Sequence, residues 1–220
     1  MKITKIDVCL LGTLIVSLAY QVRKNQIVFK LQLEEFGKLM RWLCPHLQVE
    51  LWTSDEARLG LKPIIRRTWA LKGQRPIALH HPRYKWLYTY GFVHPKTGES
   101  CLFILPRVNI PAMQIALESF ADQANPQNEK LIILLVDRAG WHVSSKLKVP
   151  KNIIMYPIPA YTPRLNPTEC IWPLLRESLA NKPLNDLDEL ENILVKRCNW
   201  LMNNPQIVKG AAGFKWLSNL

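Results

Sequence analysis

The chain lacks any C-x-x-C pair. Its five cysteines, Cys9, Cys44, Cys101, Cys170 and Cys198, are dispersed through 220 residues. An odd, scattered set argues against a disulfide framework and against a zinc site, and makes a reducing cytoplasm the natural home. Internal repeats and low-complexity tracts are missing too. With hydrophobic residues at 48% and charged residues at 21%, the chain reads as globular and not disordered. It also lacks a membrane-length hydrophobic run. The apolar stretch VCLLGTLIVSLAY at 8–20 is too short to span a bilayer comfortably. Lys2 and Lys5 precede it and Ser17-Leu18-Ala19 imitates a cleavage site, so an exported or membrane-anchored basic protein is one rival reading.

Negative charge is scarce beside positive charge. Seventeen Asp and Glu face 29 Lys and Arg, for a formal net charge of +12 and a pI of about 9.6. That excess points to a polyanionic partner, nucleic acid first and an anionic membrane surface second. The imbalance is local. Between 56 and 107 there are ten basic side chains (Arg58, Lys62, Arg66, Arg67, Lys72, Arg75, Arg83, Lys85, Lys96, Arg107) against Glu56 and Glu99. A solvated basic face would look the same.

Two hundred and twenty residues are most simply one α/β-sized domain with a substantial core. Apolar spacing predicts a helix over 31–43, ended by Pro45. VELWTSDE predicts a strand ending near Asp55. Short strands follow at 64–70 and 75–79 around Lys72-Gly73, then a hairpin of 86–93 and 101–105 about a Pro-Lys-Thr-Gly turn. Pro111 suits the first turn of a helix. LIILLVD is an unbroken apolar run of the kind buried on both faces. A short helix after His142, a second buried strand over 153–158, a helix over 167–179 and a last helix over 187–202 complete the order. Asp186 and Glu189 form a capping pair for the last. Such an order describes a mixed sheet flanked by helices.

Two acids fall at predicted strand ends, Asp55 and Asp137, and Glu169 opens a helix. In α/β sheets the functional crevice lies beyond strand ends, so these carboxylates can converge. Each also has a structural explanation. Asp55 and Asp137 can both begin turns. Glu169, three residues after Asn166 as N-cap and with Pro167 at the first helical position, can complete a variant capping box. Pro159, Pro163 and Pro167 nevertheless stiffen the approach to Glu169. Rigidly delivered carboxylates suit hard divalent ions, and two such ions serve phosphodiester cleavage.

W-T-S-D-E-A-R-L-G-L-K-P, R-R-T-W-A-L-K-G-Q-R-P, Y-G-F-V-H-P-K-T-G, L-V-D-R-A-G-W-H and P-A-Y-T-P-R-L-N-P-T-E-C-I-W occur in this order. Together they resemble the catalytic domain of a DDE transposase of the mariner-like superfamily, in its bacterial insertion-sequence branch. The likeness covers about residue 28 to the C-terminus. It implies an α/β, ribonuclease H-like (integrase-type) fold and a triad of Asp55, Asp137 and Glu169. It further implies two Mg2+ ions, with Mn2+ as substitute, and a cut-and-paste reaction on double-stranded DNA at transposon ends and target. His142 matches a family position and either orients a carboxylate, touches DNA, or is a core or helix-start histidine. Arg66, Arg67, Lys72, Arg75, Tyr161 and Arg164 are expected to contact DNA, and Trp69, Trp141 and Trp172 to pack. A homodimer that pairs two transposon ends, and a bacterial, nucleoid-associated cytoplasmic location without a membrane partner, follow from the same resemblance.

The sequence departs from the family at its start, where helix-turn-helix modules are expected. About 50 residues precede Asp55. Residues 1–27 read as an atypical apolar segment, 28–48 as a linking helix and 49–220 as the catalytic domain. A separate upstream DNA-binding polypeptide, or truncation, would account for this. The 31 residues between Asp137 and Glu169 are somewhat fewer than in mariner itself. The main rival is a catalytically idle, DNA-binding remnant.

Overall fold

A computed structural model describes residues 5–74, 83–160 and 162–217, with backbone alone for 5–23 and 163. Its centre is a five-stranded mixed sheet. The strands are β1 (Gln48–Gly60), β2 (Trp86–Val93), β3 (Ser100–Leu105), β4 (Lys130–Val136) and β5 (Ile153–Pro157), in spatial order β3-β2-β1-β4-β5. β1, β2 and β3 form an antiparallel meander, whereas β4 and β5 add in parallel to the other side of β1. This is the ribonuclease H-like arrangement.

Alternation along β1 sends its side chains to two cores. Trp52 packs with Tyr90, Phe92, Ile132 and Leu134 under helix α2 (Ile110–Ala124). On the opposite face, Leu51 and Leu135 meet Phe29 and Leu33 of α1 (Lys5–Leu43). Ala57 and Leu59 lie on that face too, against α3 (Trp172–Arg176) and α4 (Leu187–Met202). α5 (Pro205–Ala212) closes this side, and no sequence pattern announced it. It packs on the β2–β3 turn at Gly98, whose φ of +84° and contact with the Pro205 carbonyl leave no room for a side chain.

Several elements stand as expected. The hairpin, α2 capped by Asn109 with Pro111 near its start, β4, and α4 capped by Asp186 agree with the pattern. Others differ. β1 does not end near Asp55 but continues to Gly60, because β2 pairs with it as far as Trp86. Residues 64–70 form no strand, since only Ile64 finds a partner, an isolated bridge to Ala180. The 75–79 prediction lies outside the described residues. Turns replace the helix expected after His142. β5 is an edge strand, half-buried, with β4 as its neighbour. The helix over 167–179 is a chain of pieces: 3-10 turns at Pro167–Ile171 and Glu177–Leu179 with α3 between them. α1 begins at Lys5 instead of 31 and passes unbroken through 27–28. Among the described residues no helix is long and apolar enough to cross a membrane.

Candidate active site

The register of the sheet brings two acids level. β1 and β4 pair in parallel up to Thr53 opposite Leu135. Two residues further along each chain stand Asp55 and Asp137, where β4 stops and β1 goes on with β2 alone.

Asp55 is held from the other side of the domain. The indole Nε1 of Trp172, a buried residue, donates to its Oδ2 at 2.6 Å. The indole fits because the residue opposite Asp55 on β2 is Gly91. A Cβ on Gly91 would lie 2.7 Å from the Trp172 ring. Trp172, expected only to pack, therefore packs and also grips a carboxylate.

Glu169 reaches the same place by a short tether. Asn166 caps the 3-10 turn, its side-chain oxygen accepting from the Thr168 amide at 3.1 Å. Its Nδ2 donates to the Ser54 carbonyl at 2.9 Å. The Thr168 and Thr53 hydroxyls meet at 2.6 Å. These two buried links tie the start of the helical run to the two residues before Asp55. The capping-box role of Glu169 is not realised. Among the described residues its carboxylate makes no hydrogen bond or ion pair.

Asp137 combines two roles. Its Oδ1 accepts from the Ala139 amide at 2.9 Å, as a turn-forming aspartate would, and from His142 Nδ1 at 2.6 Å. The His142 ring is buried, and its Nε2 lies 2.8 Å from Oε1 of Glu56. Carboxylates only accept, so an imidazole with one at each nitrogen donates twice and is charged. Burial opposes that charge, but the bonds to Asp137 and Glu56 outweigh it and push the His142 pKa up to about 9. The sequence motif does not single out Glu56, which directly follows Asp55. Its place beside Asp55 on a strand sends it to the opposite face, and that alternation was the available signal.

Asp55, Asp137 and Glu169 line one cavity of about 360 Å3, together with Arg138, Thr162 and Asn166. Their electrostatics differ. The hydrogen bond from His142 holds Asp137 below the usual carboxylate range, against the effect of burial. Burial pushes Asp55 up to about 7, with Glu56 and Glu169 adding repulsion and Trp172 opposing. Glu169 is raised by burial and by the charge of Asp137. An all-oxygen set with surplus negative charge suits a hard divalent cation. Among the described residues, however, no three Asp, Glu, His or Cys side chains already close into a coordination group.

The expected DNA contacts are scattered. Arg66, Arg67 and Lys72 are exposed on the segment after β1, Lys72 on a tight turn with Gly73 at φ +89°. Arg66 pairs with Glu177 at 3.5 Å. Arg164 is exposed on the 3-10 turn that precedes Asn166. His142 is buried. Arg75 and Tyr161 lie outside the described residues. Trp69, expected to pack, is fully exposed.

Residues 50–191 match a family described as DDE superfamily endonuclease. A protein of Sinorhizobium fredii, "Uncharacterized protein y4pE/y4sA", is 33% identical over 132 residues, 60% of this chain and 96% of its own. Among solved structures, the Mos1 transposase paired-end complex with left transposon end matches with a TM-score of 0.55 at 16% identity, over 88% of this chain and 62% of that one. The Mos1 mariner paired end complex with Mn matches with a TM-score of 0.51 at 15% identity, over 82% and 61%. The chain thus spans about three fifths of the Mos1 chains it resembles.

Proposed function

The chain belongs to the DDE superfamily endonucleases, and on that premise we propose that it is a transposase catalytic core which cuts and rejoins DNA for an insertion sequence. The observation that carries this reading is the meeting of Asp55, Asp137 and Glu169, drawn from three distant parts of the chain, in one cavity. These three would hold two Mg2+ ions, or Mn2+ in their place. When bound, such ions supply activation of the attacking oxygen and stabilisation of the leaving one.

The residues divide the remaining work. Trp172 and Gly91 fix one oxygen of Asp55, leaving the other for the cavity. His142 occupies Oδ1 of Asp137 and so orients it. Glu169, without a bond of its own, is the member that adjusts as substrate enters. In the first step a water oxygen bonds to phosphorus at the element end and the 3′ oxygen leaves as a hydroxyl. In the second, that 3′-hydroxyl attacks a target phosphodiester and displaces the target's own 3′ oxygen. Neither step needs a covalent bond to the protein. Residues 49–220 form the catalytic domain in this reading, and a homodimer would hold the two ends.

The chain's +12 charge and its likeness to a complex with a transposon end support DNA as the substrate. Nicking of supercoiled plasmid with Mn2+, wild type beside Asp137→Asn, tests the proposal. Nicking that vanishes in the variant is expected; undiminished nicking by Asp137→Asn would overturn the assignment. Among the described residues no three acids close into a coordination group, which is the observation on the side of a second reading, an idle DNA-binding remnant. DNA binding without nicking by wild type would establish that one.

A further inference from the structure

A second cavity, of about 400 Å3, lies at the far end of the β1–β2 pair. Five of the residues lining it are cations: Arg58, Lys62, Arg83, Lys85 and Arg176. None is acidic. They come from three separate stretches of chain: the end of β1, the residues before β2, and α3. Proteins seldom gather like charges from distant segments without a counter-charge, because the repulsion lowers stability.

Two of the five are held in place. The Arg58 guanidinium lies 5.0 Å from the centre of the Trp86 ring, and Arg83 donates to the Asn185 carbonyl. Neither contact neutralises charge. Lys62, Lys85 and Arg176 have no acidic partner among the described residues. The nearby Glu177 is committed to Arg66. The floor is backbone: Gly60 approaches the Lys85 carbonyl so closely that a Cβ would lie 2.8 Å from it. This is a concave group of five cations, two of them held in place, with no acidic partner among the described residues.

Both walls are continuous with elements of the carboxylate site. β1 carries Asp55 and, five residues on, Gly60, a separation of about 17 Å along an extended strand. The helical run that delivers Glu169 delivers Arg176 at the end of α3. We propose that this cavity grips the phosphodiester backbone of duplex DNA about five base pairs from the bond facing the carboxylates, since the duplex rises 3.4 Å per pair. The proposal rests on the transposase reading and adds to it a fixed spacing between the cut and a backbone clamp.

The test is equilibrium binding of a fluorescent DNA duplex to the full chain across a range of salt concentrations, in EDTA so that divalent ions play no part. Wild type is compared with a Lys62→Ala, Lys85→Ala, Arg176→Ala triple variant, and with a control triple, Lys96→Ala, Lys151→Ala, Lys196→Ala. Each phosphate contact contributes about 0.9 to the slope of log K against log salt. The cavity triple should lower that slope by about 2 to 3, with the control close to wild type. Equal slopes for wild type and cavity triple, or equal losses in both triples, overturn the clamp. Displacement of the duplex by equimolar inorganic pyrophosphate also overturns it, in favour of a small-anion site. If wild type binds no duplex at all, the transposase reading fails with it. If wild type binds in EDTA and separately nicks plasmid with Mn2+, but the cavity triple keeps the full slope, the clamp alone fails. Thermal melting checks that the triple is folded, and single Lys62→Glu, at an exposed position, serves if it is not.

Discussion

Asp55 and Asp137 stand at the same level on neighbouring strands and are treated in opposite ways. Asp137 is partnered by a charged His142, itself backed by Glu56, and its ionised form is favoured. Asp55 receives one neutral indole N–H, faces two other acids, and its ionised form is opposed. The difference teaches that the site is half finished as a protein. One side is neutralised by the chain's own residues, and on the other the ionised form is opposed by burial and by neighbouring acids.

The largest effect should come from breaking the finished side. Asp137→Asn is expected to lower Mn2+-dependent nicking by at least about 100-fold, the scale of losing one preorganised electrostatic group. Plasmid nicking rates check it. His142→Ala leaves Glu56 buried without its partner, and removing one member of a buried pair costs about 3 kcal/mol. Denaturant melts of the metal-free chain should show that loss, with reduced nicking beside it.

Asp55→Asn should behave in the reverse sense. The amide oxygen can still accept from Trp172, and the opposed charge is gone. This variant should lose nicking yet melt at a higher temperature than wild type at pH 8 without divalent ions. A lower melting temperature there would refute the account of Asp55.

The pH dependence sharpens the same contrast. Asp55, raised from 3.8 to about 7, keeps its proton longer in the folded state, so stability falls as pH rises from about 4 through 7. His142, raised from 6.5 to about 9, gives stability that is fully present below 6.5 and is lost as pH rises through 9. Both slopes run downward. Thermal melts in EDTA should decline across the whole range, whereas saturating Mn2+ should flatten the lower part, because the cation then takes the place of the proton. A slope unchanged by Mn2+ would show that no ion meets Asp55.

Gly91→Ala is the mildest probe. It should push Trp172 off Asp55 and lower the nicking rate severalfold while leaving DNA binding as it was. Nicking at the wild-type rate would mean that the Trp172 contact is dispensable.

Much of the fold was legible because local signals and tertiary pairing agree. LIILLVD reads as a buried strand and is one, flanked by β1 and β5. Asn166 and Pro167 read as a helix start and act as one. TSDE resembles a turn, yet β1 runs on to Gly60, because its outer half is held by β2, a distant partner that no local pattern reveals. The segment 64–70 is rich in β-branched and aromatic residues, yet only Ile64 finds a bridge, to Ala180, and Trp69 is left in solvent. At the candidate site, the acids themselves were visible. Glu56 and the second role of Trp172 were not, since one depends on a histidine 86 residues away and the other on Gly91 lying opposite Asp55.

The tether at Asn166 and Thr168 has a consequence for synthesis. Until the chain has been made past residue 169, the side-chain links from Asn166 and Thr168 to Ser54 and Thr53 cannot form, and the cavity lacks its third acid. A nascent polypeptide can therefore pair most of the sheet before the cavity is complete. Of its three acids, the one made last is also the one that needs the other two already in place.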